Sequence, residues 1–157
     1  MSHNVILATL DETVAFGKNI GSTAQPGDII TLSGDLGAGK TTFTRGFIRS
    51  LGYTQVVTSP TYALVESYNL DQFTLHHFDL YRLQTAPAEL NFIHEYLTDD
   101  AVCIIEWPQE SSTLLPDADI TLHLTHTNQC RTLSWQANRQ YAATIASLYP
   151  DSKHDII

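Results

Sequence analysis

The segment that decides the fold is Gly34-Asp35-Leu36-Gly37-Ala38-Gly39-Lys40-Thr41, which fits the pattern G-x-x-x-x-G-K-[ST]. The preceding residues 28–32 have the pattern of a strand, and residues 40–51 have the apolar spacing of a helix. A strand that enters and a helix that leaves form the context that this motif requires. The sequence therefore predicts a phosphate-binding loop that joins a strand to a helix.

The residue types of this loop suit the phosphates of a purine nucleoside triphosphate such as ATP. Its glycines permit backbone angles at which successive N–H groups point at phosphate oxygens, and the following helix adds its partial positive charge. Lys40 is predicted to bring a point charge to the β and γ phosphates, and the Thr41 hydroxyl to bind Mg²⁺. Thr42 is predicted to contact the α phosphate. Motif and context together disfavour a glycine-rich turn that binds nothing.

A loop of this kind works with an acidic residue at the end of a neighbouring strand, which holds Mg²⁺ directly or through water. Glu106 ends the apolar run 101–105, and Asp79 ends the run 75–78. The first run is the more apolar, so we expect it to be a central strand beside the loop strand, with Glu106 as the main metal partner. Asp79 is either a second metal or water contact or one half of a surface pair with Arg82.

The rest of the chain is predicted to alternate helices and strands. We expect a helix over 12–24 capped by Asp11, and a helix over 87–97. The other expected elements are strands 61–68 and 73–78, a hairpin of 119–125 with 132–136, and a helix over 141–149. This order predicts an α/β fold of a single domain, residues 1–157, with a sandwich around a mixed sheet. The order of the strands is not readable from the sequence.

Charge and composition exclude several classes of protein. The net charge is −9, with 17 acidic against 8 basic residues, so a basic protein surface is a better partner than a nucleic-acid backbone. Two cysteines make no disulfide framework, and Cys103 in its apolar run is expected to be buried. The N-terminus has no signal-peptide pattern, and no apolar run approaches the ~20 residues of a membrane span. We expect a cytoplasmic protein without a membrane partner.

Three further features have both a functional and an ordinary interpretation. His76 and His77 are adjacent on a predicted strand, so they point to opposite faces and are unsuited to one zinc ion. The segment 59–61 is either a loop that responds to nucleotide or an ordinary turn. Trp107 either stacks on an adenine or packs at a strand end.

At these residues the chain resembles the TsaE family, formerly called YjeE, the small P-loop ATPases of bacterial tRNA N6-threonylcarbamoyladenosine (t6A) synthesis. Four matching segments span most of residues 28–108. They are the loop with Thr42, Ser59-Pro60-Thr61-Tyr62-Ala63-Leu64-Val65, His77-Phe78-Asp79-Leu80-Tyr81-Arg82-Leu83 and Ile105-Glu106-Trp107. The second and third of these segments together are specific to that family. The segment 89–96 departs from the family pattern, because it is about two residues shorter and lacks a glycine. The residues after Pro108 carry little family signal.

The resemblance implies a P-loop NTPase-like three-layer sandwich and a Mg²⁺-dependent ATPase that is weak alone and stimulated by partner proteins. The implied partners are TsaD and TsaB, which threonylcarbamoylate adenosine 37 of tRNAs reading A-starting codons; tRNA is then contacted only through the complex. Glu106 becomes the Walker-B-like acid, and Asp79 assists at the metal. The implied catalytic residues are Lys40, Glu106 and Asp79, the implied metal ligands are Thr41, Glu106 and Asp79, and the implied ATP-binding residues are Thr13, Gly37, Ala38, Gly39, Lys40, Thr41, Thr42, Trp107 and Arg131.

Two other functions stay open at this point. The loop would also serve a nucleotide switch that binds ATP without hydrolysing it, with segment 59–61 as the sensing element. It would also serve a small-molecule kinase, although the arginine-rich lid typical of such enzymes is missing from the sequence.

Overall fold

The computed structural model describes residues 4–83, 87–108, 115–127, 130–150 and 155–156, and it contains one mixed sheet. The strands are β1 (Asn4–Leu7), β2 (Ile29–Gly34), β3 (Val65–Asn69), β4 (Thr74–Asp79), β5 (Ala101–Glu106), β6 (Ile120–Thr127), β7 (Cys130–Ala137) and β8 (Asp155–Ile156). Their order is β1-β7-β6-β2-β5-β4-β3, and β8 pairs with β7. The central strands β6, β2, β5 and β4 run parallel, whereas β3 pairs antiparallel with β4, and β7 pairs antiparallel with β6 and β1. The short strand β8 pairs with β7 in parallel.

The two faces of the sheet are covered differently. The helices are α1 (Leu10–Gly21), α2 (Lys40–Ser50) and α3 (Arg139–Leu148), and the 3₁₀ segments are Tyr81–Leu83 and Pro87–Glu95. The main core joins Phe16 of α1 and Phe43 of α2 to alternate strand residues such as Leu32 and Ile104. A second core, which includes Ile93 of the longer 3₁₀ segment and Ile105, lies on the opposite face. This α/β arrangement confirms the predicted fold class.

Strand β5 lies in the interior of the sheet, between β2 and β4. All six of its residues are buried, as the apolar run predicted. In the register of the sheet, Glu106 pairs with Leu32 of β2 on one side and with Asp79 of β4 on the other. The expectation that the Glu106 strand lies beside the loop strand is therefore confirmed. Cys103 of this strand is buried as expected, and burial raises the pKa of its thiol to about 12.

Helix α1 begins earlier than predicted. Its N-cap is Thr9, whose hydroxyl accepts the backbone N–H of Glu12 at 3.1 Å, while the Glu12 carboxylate accepts the backbone N–H of Ala8 at 2.6 Å. This reciprocal arrangement resembles a capping box and leaves Asp11 within the first turn. The predicted cap at Asp11 is wrong, because Thr9-x-x-Glu12 satisfies two of the free N–H groups at once.

Two other boundaries differ from the prediction. The strand expected over 61–68 begins at Val65, since Leu64 donates its N–H to Pro60 O at 2.7 Å and has a left-handed φ of 68°, which closes a turn. The helix expected over 87–97 is a 3₁₀ segment that ends at Glu95. None of the helices within the described ranges has both the length and the apolar character needed to cross a membrane.

Helices α1 and α2 approach each other closely at two glycines. A Cβ atom built on Gly17 would overlap the carbonyl oxygen of Phe43, and one built on Gly46 would overlap the carbonyl oxygen of Val14. Each glycine therefore admits the backbone of the opposite helix into the space that a side chain would fill. This contact fixes the position of α2, whose N-terminus carries the glycine-rich loop.

Helix α3 is tied to the start of β2 by a hydrogen bond from Tyr141 Oη to the Asp28 carboxylate at 2.6 Å. Partial burial raises the pKa of Asp28, while the tyrosine hydroxyl lowers it. Tyr141→Phe is expected to raise that pKa further and to lower the free energy of unfolding at neutral pH by about 1–3 kcal/mol. This loss of stability should be full at pH values above the Asp28 pKa of the variant. It should become smaller as the pH falls towards the Asp28 pKa of the wild-type protein. Urea unfolding at pH 7 and near pH 4 measures it, with Tyr62→Phe, an exposed site, as control; an equal loss at both pH values would contradict this coupling.

Candidate functional site

The glycine-rich loop lies between the end of β2 and the start of α2. Gly37 and Gly39 have φ angles of 79° and 110°, in the region that disfavours other residues. Gly39 is the N-cap of α2, and no side chain caps that helix. The first N–H groups of α2 are therefore available to an anion, where the helix dipole also favours negative charge.

Lys40, the first residue of α2, extends its side chain back into the loop. Its ammonium group donates to Gly34 O at 2.8 Å and to Asp35 O at 3.0 Å, and it lies 4.3 Å from the centre of the Trp107 ring. Burial lowers the pKa of Lys40, and the charges of Glu106 and Asp79 oppose that shift. The site therefore holds a largely buried cation whose charge is offset by two carboxylates.

Asp79 and Glu106 are only 4% and 3% exposed. Asp79 Oδ2 accepts the hydroxyl of Thr61 at 2.9 Å, and Asp79 Oδ1 accepts the backbone N–H of Tyr81 at 3.0 Å. The alternative of an Asp79–Arg82 surface pair is wrong, because Asp79 is buried and Arg82 donates to a backbone carbonyl of the adjoining turn. Both acids thus belong to the interior of one site.

These groups surround a surface cavity of about 200 Å³. The cavity brings the loop, both carboxylates and two side chains of the 59–61 turn together. Its lining residues are Leu36, Gly37, Gly39, Lys40, Thr41, Thr42, Ser59, Thr61, Asp79, Glu106, Trp107 and Arg131. Most of the side chains predicted for nucleotide and metal binding are therefore neighbours in space, although their roles stay predictions.

Trp107 follows β5 with a left-handed φ of 60°, which turns its side chain into the cavity wall. Its backbone N–H donates to Leu32 O at 3.0 Å, and its ring lies 4.9 Å from that of Tyr81. The structure thus shows packing at a strand end, and it also leaves the indole at the cavity, where a base would reach it.

Three other predicted residues lie around the loop. Arg131 reaches it from β7 and donates from Nε to Ala38 O at 3.1 Å. Ala38 itself is fully buried. Thr13 is fully buried in α1, with its methyl group beneath Gly39, and it is not among the residues that line the cavity.

Sequence reasoning did not assign His77 to the site. The prediction that the two adjacent histidines face opposite sides is confirmed, since His76 bonds to Ser67 at 2.7 Å while His77 is fully buried. His77 Nε2 lies 3.3 Å from Glu106 Oε1. The spacing His77-x-Asp79 carried the signal, because residues two apart on a strand share a face.

The fold and the site define an α/β protein of the P-loop NTPase-like class. Strand β2 leads through the glycine-rich loop into α2, and the parallel strands β5 and β4 beside it each end in an acidic residue. Residues 7–133 match the family model described as "Threonylcarbamoyl adenosine biosynthesis protein TsaE". The match covers well over half of the chain, and the chain belongs to the TsaE family.

Individual relatives agree with this assignment. The chain is 42% identical over 123 residues to the "tRNA threonylcarbamoyladenosine biosynthesis protein TsaE" of Haemophilus influenzae, which is 77% of each chain. It is 34% identical to the protein of the same name from Rickettsia bellii, over 79% of this chain and 87% of that one. Its fold is similar to a crystal structure of Bacillus subtilis YdiB, with a TM-score of 0.76 and 30% identity over 96% of this chain and 97% of that one.

Proposed function

We propose that this chain binds ATP with Mg²⁺ and hydrolyses it in support of tRNA threonylcarbamoylation at adenosine 37, together with TsaB and TsaD. The observation that carries the proposal is the convergence of Lys40, Asp79 and Glu106, all largely buried, on one cavity beside an uncapped helix N-terminus. The names of the relatives supply the pathway. The geometry supports the chemistry, because a triphosphate needs buried positive charge and donors at that point.

The residues present also fit Mg²⁺. The hydroxyl of Thr41 and the carboxylates of Asp79 and Glu106 are oxygen donors, which this cation prefers, and all three residues line the cavity. Two buried carboxylates against one ammonium leave an excess of negative charge that a divalent cation would offset. When bound, the ion neutralises phosphate charge and polarises the reacting phosphoryl group.

Different side chains and backbone groups of the chain would then contact different parts of the nucleotide. Lys40 exchanges its two carbonyl acceptors in the loop for phosphate oxygens, and the N–H groups of the loop and of α2 hold the remaining oxygens. A cavity of about 200 Å³ suits the phosphates and the ion, so the base would lie at the rim beside Trp107. Arg131 keeps the loop in shape through its bond to Ala38 O.

The acidic surface favours a basic protein surface over tRNA as the direct contact. The net charge of −9 repels a phosphate backbone, so tRNA would be held by the partner proteins. We propose that this work takes place in the cytoplasm.

The proposal is tested by measuring Mg²⁺-dependent phosphate release from ATP, with and without TsaB, TsaD and tRNA. We expect slow release by the chain alone, clear stimulation by the complex, and loss of that stimulation in Glu106→Ala, which removes a carboxylate from the cavity. Glu95→Ala, at an exposed position outside the site, is the matched control and should behave as wild type.

Two outcomes would contradict the ATPase assignment. ATP binding without any release, alone or in the complex, would favour the nucleotide switch. Stoichiometric transfer of phosphate to a small metabolite would favour the kinase.

A further inference from the structure

We propose that His77 is a positioning residue for Glu106: its Nε2–H donates to Glu106 Oε1 and thereby leaves the other carboxylate oxygen to face the cavity. The inference rests on the proposed function, because it concerns the same Mg²⁺–ATP site. His77 is absent from the cavity lining, so it is assigned no contact with nucleotide or metal.

The register of the sheet places His77 and the two acids on one face. Asp79 pairs with Glu106 across β4 and β5, and His77 pairs with Ile104 two residues earlier in each strand. Because side chains alternate along a strand, His77, Asp79 and Glu106 all point to the face that carries α2. His77 therefore forms the floor beneath the acid pair, and it is fully buried there.

Polar atoms of this floor lack other partners among the described residues. Both ring nitrogens of His77 and Glu106 Oε1 are buried and make no regular hydrogen bond, yet Nε2 and Oε1 lie 3.3 Å apart. Buried polar groups are almost always paired, and these two atoms are close enough to pair with each other. The neutral ring supplies the needed N–H when its proton is on Nε2.

The contrast with Asp79 shows why Glu106 needs this anchor. Both oxygens of Asp79 are already held, one by the Thr61 hydroxyl and one by the backbone N–H of Tyr81. For Glu106, the close polar contact that the described structure offers to Oε1 is His77. Carboxylates that hold a metal are themselves fixed by hydrogen bonds from a second layer of residues, and loss of such a partner typically weakens metal affinity or activity by about 10–100-fold.

The test measures the affinity for a fluorescent non-hydrolysable ATP analogue in Mg²⁺ and in EDTA, so that the gain from Mg²⁺ is separated from nucleotide binding itself. His77→Leu removes the donor at similar volume and should reduce the Mg²⁺ gain about 10-fold or more, with unchanged affinity in EDTA. His77→Gln, whose amide extends as far as Nε2, should restore most of the gain, and the shorter His77→Asn should not. His76→Leu is the matched control on the opposite face and should keep the wild-type gain.

Double variants separate positioning from general support of the fold. In a Glu106→Ala background, His77→Leu should cause no further loss of the Mg²⁺ gain, because its target is gone. A further loss there, or equal losses in His77→Gln and His77→Leu at unchanged melting temperature, would overturn the inference. If His77→Leu does not fold, the comparison of Gln with Asn decides alone. A wild-type chain without any Mg²⁺ gain would instead overturn the proposed function.

Discussion

Lys40→Ala is expected to lower Mg²⁺-dependent phosphate release by about 100- to 1,000-fold, the scale found when a preorganised donor to a developing charge is removed. The ammonium group of Lys40 is held in the loop by Gly34 O and Asp35 O, and the proposed function brings it to a phosphate from there. Its removal also leaves Asp79 and Glu106 buried without their counter-charge, which repels the nucleotide. Phosphate-release assays and calorimetric titration with ATP measure the two effects.

Two further variants test whether the expected loss in Lys40→Ala is specific to this residue. Lys40→Arg should not restore activity, because a broad planar guanidinium cannot replace the compact ammonium that lies within 3.0 Å of two carbonyls and 4.3 Å from the centre of the Trp107 ring. Arg45→Ala removes an exposed cation of the same helix and should leave ATP affinity within about twofold of wild type. Retention of near-normal release by Lys40→Ala would remove the phosphate role from the loop lysine.

Gly17→Ala and Gly46→Ala are each expected to lower the free energy of unfolding by about 2–3 kcal/mol, which is about 5–10 °C in melting temperature. Alanine normally improves a helix by about 1 kcal/mol over glycine, so the loss must come from the forced separation of α1 and α2. In each case the new methyl group meets a backbone carbonyl of the other helix, which cannot rotate away as a side chain can.

Thermal unfolding and urea titration measure this loss. Lys18→Ala, one position from Gly17 and exposed, should be neutral within about 0.5 kcal/mol. We also expect the nucleotide affinity of Gly46→Ala to fall, since α2 carries the loop at its N-terminus. A stability equal to or above wild type for both glycine variants would show that the helices separate without cost.

The parts of the site that the sequence predicted are those set by local patterns. The loop was readable because its glycines, Lys40 and Thr41 lie within eight neighbouring residues. Glu106 was readable because it directly follows five apolar residues of β5. The expectation that β5 lies beside β2 then followed, because a strand that is apolar on both faces belongs in the interior of a sheet. The Thr9-x-x-Glu12 cap was present in the sequence, but Asp11 offered a competing cap, and the choice depends on which N–H groups each side chain reaches.

Contacts between distant segments were not readable. The bond from Thr61 to Asp79 depends on the left-handed turn at Leu64, which makes the expected strand begin only at Val65. The contact of His77 with Glu106 depends on the register of β4 with β5, and register is fixed by the whole sheet rather than by either strand. Arg131 was tied to this site by resemblance alone, and its bond to Ala38 O joins residues 93 positions apart.

The separation of Ala38 and Arg131 in the sequence determines when the loop gains this contact during translation. Strand β2 lies between β5 and β6, and β6 and Arg131 leave the ribosome long after the loop has been made. At about 5–20 residues per second, the 93 residues between Ala38 and Arg131 correspond to about 5–20 s of translation. During that interval at least one edge of β2 is unpaired, because both of its neighbours, β5 and β6, follow the loop in the chain. The loop also lacks its hydrogen bond from Arg131, so the cavity of a nascent chain is unfinished. The cavity is therefore completed only after Arg131 has been synthesised.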